Sequence, residues 1–276
     1  MTYCEFFGCA FIAFGPPVAM FIFTIARDPM KVIILMASAF FWLLALLFSS
    51  ALWAAVYPLK ETLAFGLAFA VIFQELFRFV IYIILRKAEE GLQKVAVGED
   101  KISIATNKHV LGYVAGLGFG VASGAFSLGK GEGRDGRGQP GPLMSISNSH
   151  LFRLSSVNVL ADSLGPGTVG IKGDPADFFV TSALLTLAFV LLHVFWSVVF
   201  FHCCDRRGVY GALGICAVVA SHGLASGLTL LNQGNEPVYA ASITSAYVIL
   251  VAFAVWSFIL AGGNSKSIAR FCKGQR

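Results

Sequence analysis

Charge is scarce in this chain: Asp, Glu, Lys and Arg make up 13% of 276 residues, against 57% hydrophobic residues and 26 phenylalanines. A soluble globular domain, which carries about a quarter of its residues as charges, is excluded. A disulfide framework is missing too. Cys4, Cys9, Cys203, Cys204, Cys216 and Cys272 are scattered in or beside apolar segments and form no CxxC pair. His202, Cys203 and Cys204 are consecutive, too close for a tetrahedral zinc site, and read as membrane-edge packing or a palmitoylation site. No internal repeat of fixed period is visible, which gives no support to a transporter built of inverted halves. There is no N-x-S/T sequon, and MTYCEFFGCAF has no basic residues ahead of its apolar run, so it does not read as an ordinary signal peptide. The net charge of +5 is small and implies no nucleic-acid partner.

What is there is apolar sequence in seven long segments: about 4–26, 32–57, 62–85, 110–128, 178–201, 211–231 and 238–261. Each reaches the roughly 20 residues a helix needs to cross a bilayer, and only helices satisfy their own backbone in lipid without closing into a barrel. The fold class is therefore all-α, a polytopic membrane protein forming one seven-transmembrane helix bundle over 1–276, with lipid as its solvent. Basic residues choose its orientation, because Lys and Arg accumulate on the cytosolic side. One set of alternate loops and tail holds 13 of them, including Arg27, Lys31, Arg86, Lys87, Arg206 and Arg207; the other holds six, four of which lie in one unusual run. The N-terminus is expected outside or in the lumen and the C-terminus in the cytosol.

Polar residues inside spans are functional candidates by default, since each ionisable group costs a few kcal/mol to insert. In FQELFRF the spacing lets Gln74, Glu75 and Arg78 share a helix face, Glu75 and Arg78 as i, i+3 and Gln74 and Arg78 as i, i+4. An internal ion pair is the simplest reading of them. His193 in LLHVFWS and His222 in ASHGLASG lie in two further spans. Two histidines and a carboxylate on three helices suit either a metal with an open position or an interhelical hydrogen-bond cluster. No HExxH spacing favours the metal, and no cofactor is implied. The fourth span carries Gly116, Gly120 and Gly124, with Gly112 one turn earlier. Glycines four apart form a stripe that admits another backbone, in this chain or another.

These residues, with FFGCAFIAFGPP, ARDPMKVIILMASAFFWLL, KAEEGL, VNVLADSLGPGTVGIKGD and the terminal AGGNSKSI, resemble the anterior-pharynx-defective subunit of γ-secretase over nearly the whole chain. The resemblance implies a non-catalytic seven-span scaffold, lumenal at its N-terminus, that assembles with presenilin, nicastrin and the presenilin enhancer subunit and supports processing of type I membrane proteins. The catalytic aspartates would belong to presenilin, so this chain would not itself be an enzyme. Gly116, Gly120 and Gly124 would serve assembly, and His193 and His222 assembly and activity. The complex would travel from endoplasmic reticulum and Golgi to plasma membrane and endosomes. The family also resembles, distantly, membrane endopeptidases that process prenylated proteins. That keeps a metalloprotease-like reading of Glu75, His193 and His222 as the alternative, although Gln74 stands where a paired glutamate is expected. A transporter or channel is a more remote alternative.

One segment departs from the family pattern. Residues 129–156, GKGEGRDGRGQPGPLMSISNSHLFRLSS, interrupt the fourth span between the glycines and the family's Asn158 and Asp162. Their composition forms no core, so they read as a disordered insert or as an unspliced, in-frame intron. Gly129 and Lys130 can be encoded GGT AAG, which contains a splice donor, and Ser156 and Val157 can be encoded TCA GTN, which contains an acceptor. Removing the interval leaves one valine codon and restores SGAFSLVNVLADSLGPG.

Overall fold

A computed structural model of the chain describes residues 3–56, 63–95, 108–128, 178–206, 208–233 and 238–264. The interval 129–156, with Asn158 and Asp162, lies outside the described residues. Among the described residues, seven helices are long and apolar enough to cross a membrane: α1 Tyr3–Thr24, α2 Pro29–Ala55, α3 Leu63–Val95, α4 Lys108–Leu128, α5 Phe178–Asp205, α6 Val209–Leu228 and α7 Tyr239–Leu260. A 3-10 turn, Thr229–Gln233, continues α6.

Local chemistry sets several boundaries. Asp28 caps α2 by accepting from the Met30 amide at 3.1 Å, and Pro29 takes the first helical position, where no amide hydrogen is needed. The start of α2 thus falls before 32, where the apolar run begins. α3 runs on to Val95 rather than ending near 85, because RKAEEGLQKV is good helix sequence and Arg86 pairs with Glu89 one turn on, at 2.7 Å. Gly208, at φ 110°, makes the sharp turn from α5 into α6, a backbone conformation that favours glycine. Beyond it, the 3-10 turn is held to α7 by reciprocal Asn232–Ser242 hydrogen bonds at 2.9 and 3.1 Å.

α5 is the axis of the bundle. Of its membrane window 78% is buried, against 17% for α1, and it packs on α4 most extensively, then on α7, α1 and α6. Its sequence explains this: FFVTSALLTLAFVLLHVFWSVVFF is apolar on every side, as a helix surrounded by other helices must be. α4 lies between α5 and α2, and α3 packs on α2 and α6. The main core joins Trp42, Ile81, Leu117, Phe119, Phe189, Trp196 and Phe201 from α2, α3, α4 and α5. α3 meets α5 both through rings, Phe79 on Phe200 and Tyr82 on Phe201, and through long polar side chains. Near the end where α5 finishes, Tyr82 donates to Asp205 at 2.8 Å and Arg86 pairs with Asp205.

Candidate functional site

The glycines of α4 decide how closely it meets α5. A Cβ added at Gly116 would fall 2.7 Å from the His193 carbonyl oxygen and the Val194 Cα, and at Gly120 2.5 Å from the Val190 carbonyl oxygen. At Gly112 it would meet the Ser197 carbonyl at 3.0 Å. These distances are below van der Waals contact, and the obstructing atoms are backbone, which cannot rotate aside. At Gly124 the nearest atoms are side-chain methyls, Val190 Cγ2 at 2.8 Å and Thr186 Cγ2 at 3.2 Å. The four glycines descend α4 as Ser197, His193, Val190 and Thr186 ascend α5, an antiparallel register of one turn per step. The helix that fills the stripe therefore belongs to this chain. Gly118, outside the four-residue spacing, does the same toward α2, where an added Cβ would collide with the Leu35 carbonyl and Ser38.

Gly116 meets the backbone of His193, so the stripe also fixes the depth of that histidine. Its side chain enters a buried polar cluster. Arg78 Nη2 lies 2.9 Å from His193 Nδ1 and 3.3 Å from Glu75 Oε1, and His222 Nδ1 lies 2.7 Å from the same Glu75 oxygen. Arg78, His193 and His222 are 0% exposed and Glu75 is 6%. The structure thus brings together Glu75, Arg78, His193 and His222 from α3, α5 and α6. Gln74, also buried, turns aside and accepts a hydrogen bond from Trp42 Nε1 of α2 at 3.2 Å. It tethers α3 to α2 rather than joining the charged group.

Aromatic rings seal this cluster. Trp196 stacks on His222 with centroids 4.5 Å apart, and the His193 ring plane is nearly perpendicular to both, 5.6 Å from Trp196 and 5.3 Å from His222. Phe119 of α4 lies under the Arg78 guanidinium at 5.4 Å, in cation–π range. Sequence reasoning missed Trp42, Phe119, Trp196 and Gly118, since single aromatics and a single glycine in a phenylalanine- and glycine-rich membrane chain carry no spacing signal.

The arrangement fixes proton positions. Guanidinium has only donors, so His193 Nδ1 accepts and this ring carries its hydrogen on Nε2. Carboxylate only accepts, so His222 Nδ1 donates. Glu75 and Arg78 cancel in charge, and a matched buried pair with hydrogen-bonded partners is the form in which charge survives in a low-dielectric interior.

This geometry gives no support to the metal-site reading of Glu75, His193 and His222. The cation among them is Arg78, which occupies the His193 Nδ1 lone pair and one carboxylate oxygen that a metal would need. Among the described residues no three His, Cys, Asp or Glu side chains are grouped to hold an ion. His202 instead stacks on His109 of α4 at 5.4 Å, while Cys203 is buried and Cys204 half-buried at the end of α5.

Comparisons with known proteins agree with this architecture. The family model described as Aph-1 protein matches residues 4–130 and 151–264. The γ-secretase subunit Aph-1 of Drosophila melanogaster is 49% identical over 271 residues, covering 98% of each chain. Subunit Aph-1b of Danio rerio is 44% identical and APH-1B of Homo sapiens 42%, each over 277 residues, 97% of this chain and 93% of the relative. None of these names supports a metalloprotease, transporter or channel. With the family model matched along both halves and full-length relatives far above 30% identity, the chain belongs to the Aph-1 family.

Proposed function

We propose that this chain is the Aph-1 subunit of a γ-secretase complex and serves it as a non-catalytic scaffold. Its relatives carry that name, and the chain covers nearly all of their length. The observation that carries the scaffold role is the use made of the polar centre. The carboxylate, guanidinium and imidazole groups that a catalyst would present to substrate are spent on one another across α3, α5 and α6. Catalysis then falls to another subunit, presenilin, whose aspartates would cleave type I membrane proteins. Nicastrin and the presenilin enhancer subunit would be the other partners. The positive-inside bias supports a lumenal N-terminus and cytosolic C-terminus, and the complex would pass from endoplasmic reticulum and Golgi to plasma membrane and endosomes.

The test is purification through a C-terminal tag from cells whose own Aph-1 has been removed. Presenilin and nicastrin are expected to co-purify and the complex to cleave a type I substrate. The same chain purified from presenilin-deficient cells should be inactive. Proteolysis by that presenilin-free chain would overturn the scaffold reading.

A further inference from the structure

We propose that the end of the bundle where α1, α4 and α5 come together binds the headgroup of a multiply phosphorylated phospholipid, with Arg27, Lys108 and Arg206 as its cations and His109 and His202 as added donors. Two contacts gather these residues, which lie far apart in sequence. Thr24 Oγ1 at the end of α1 is 3.0 Å from the Tyr113 hydroxyl in the second turn of α4, and His109 at the start of α4 stacks on His202 of α5 with ring centres 5.4 Å apart and planes at 18°. Arg27 follows Thr24 by three residues, and Lys108 precedes His109. Arg206 stands one helical turn beyond His202, its amide donating to the His202 carbonyl at 3.1 Å. Arg27, Lys108 and Arg206 are exposed, while the two imidazoles are half-buried between the helices.

Three carboxylates at this end are turned to other partners. Asp28 accepts from the Met30 amide at 3.1 Å and pairs with Lys31 at 3.5 Å, so it is bound to the start of α2. Asp205 precedes Arg206 but faces α3, where it accepts from Tyr82 at 2.8 Å and pairs with Arg86; Glu89 pairs with the same Arg86 at 2.7 Å. Among the described residues, the arc from Arg27 through Lys108 to Arg206 is therefore positive, and it borders side chains that face lipid. Phe23, one residue before the end of α1, is 79% exposed, and Tyr210 at the start of α6 is 76% exposed with the Arg206 guanidinium over its ring at 5.6 Å. An aromatic ring at the membrane boundary with a cation above it marks the depth at which headgroups meet acyl chains.

Charge selects the occupant. A phosphomonoester carries about 1.5–2 negative charges at neutral pH and accepts through three oxygens, so a headgroup with two of them matches three permanent cations and two ring N–H groups, whereas a lone phosphodiester does not. The guanidinium of Arg27 or Arg206 can grip such a phosphate through two parallel N–H bonds. A free inositol phosphate offers the same anions but no acyl chain to lie along Phe23 and the lipid-facing side of α1, which favours the lipid. In the orientation proposed above this end is cytosolic, the side on which anionic lipids collect. Binding by the isolated chain does not depend on that orientation, so the two fail separately.

Native mass spectrometry of the full chain in neutral detergent, titrated with phosphatidylinositol bisphosphate, phosphatidylserine or phosphatidylcholine, tests the site. The bisphosphate lipid is expected to bind more tightly than either of the others by about tenfold or more. Each Lys or Arg near an anionic surface contributes about a fivefold gain, so Arg27→Gln, Lys108→Gln and Arg206→Gln together should weaken that binding about a hundredfold. An equal loss of charge by Lys87→Gln on α3 with Lys273→Gln and Arg276→Gln in the C-terminal sequence should change it by less than about twofold. Free inositol trisphosphate should compete about tenfold less well than the lipid. Phosphatidylserine bound as tightly as the bisphosphate lipid, a triple variant that binds like the parent, or a control that loses as much as the triple variant would each overturn the proposal. Inositol trisphosphate competing as well as the lipid would overturn it too, by assigning the arc to a soluble phosphate. The three replaced side chains are exposed, so the variant should elute and melt as the parent does; if it does not, the comparison of lipids and of inositol trisphosphate on the parent chain still decides.

Discussion

At the scale of single residues, the question is which side chains the bundle cannot lose. Removing one partner of a buried ion pair leaves the other charge in the apolar interior, at a cost of about 3–5 kcal/mol, whereas removing both is far cheaper. Glu75→Gln and Arg78→Met should each lower the thermal stability of the purified chain strongly, and the double variant should lose clearly less than the two losses added. Additive losses in that double-mutant cycle would mean that the 3.3 Å contact carries no coupling. The glycines allow a graded test. A methyl group at Gly120 or Gly118 meets a carbonyl oxygen of α5 or α2, but at Gly124 it meets methyl groups that can rotate. Overpacking costs about 1–3 kcal/mol where the neighbour cannot yield. Gly118→Ala and Gly120→Ala are therefore expected to destabilise more than Gly124→Ala, with melting in detergent as the measurement. Equal effects at all three would show that the helices separate freely.

At the scale of elements, most of the bundle was legible and its contacts were not. Seven apolar runs announce seven helices because lipid permits little else. The ends drift where the deciding chemistry is polar: Asp28 and Pro29 start α2 ahead of its apolar run, and the Arg86–Glu89 pair supports α3 beyond its own. The spacing of Glu75 and Arg78 was readable as one face, but that Arg78 reaches His193, 115 positions away, depends on how α3 lies beside α5. Likewise the four-residue glycine period shows a stripe and says nothing of its occupant, which proves to be α5. The fourth span carries the remaining element-scale expectation. The family match stops at 130 and resumes at 151, inside both ends of the interval 129–156. Rejoined, 110–128, one valine and 158–164 make about 27 residues, ample for a tilted helix. Long-read sequencing of the transcript should show mature message passing from Leu128 through one valine codon to Asn158. Abundant mature message that retains the interval would instead establish an altered fourth span, with four extra basic residues to translocate against the charge bias.

At the scale of the whole molecule, the arrangement separates two ways in which a glycine variant could abolish a complex. If the stripe were a docking surface for another subunit, bulk there would leave the isolated chain intact and prevent only association. In this bundle the stripe is consumed internally: Gly112, Gly116 and Gly120 meet backbone of α5, and α5 is the helix on which α1, α4, α6 and α7 all pack. Bulk at Gly120 must push α4 from α5 along the line that holds His193 at its depth beside Arg78. Damage should then begin inside the chain and reach the complex second. Gly120→Leu, purified without any other subunit, is accordingly expected to melt well below the parent chain and to be cleaved sooner by added protease, and the same variant in cells should recover less presenilin and nicastrin. A Gly120→Leu chain that is as stable as the parent when alone, yet fails to recover its partners, would relocate the role of the stripe from the fold of this subunit to its surface.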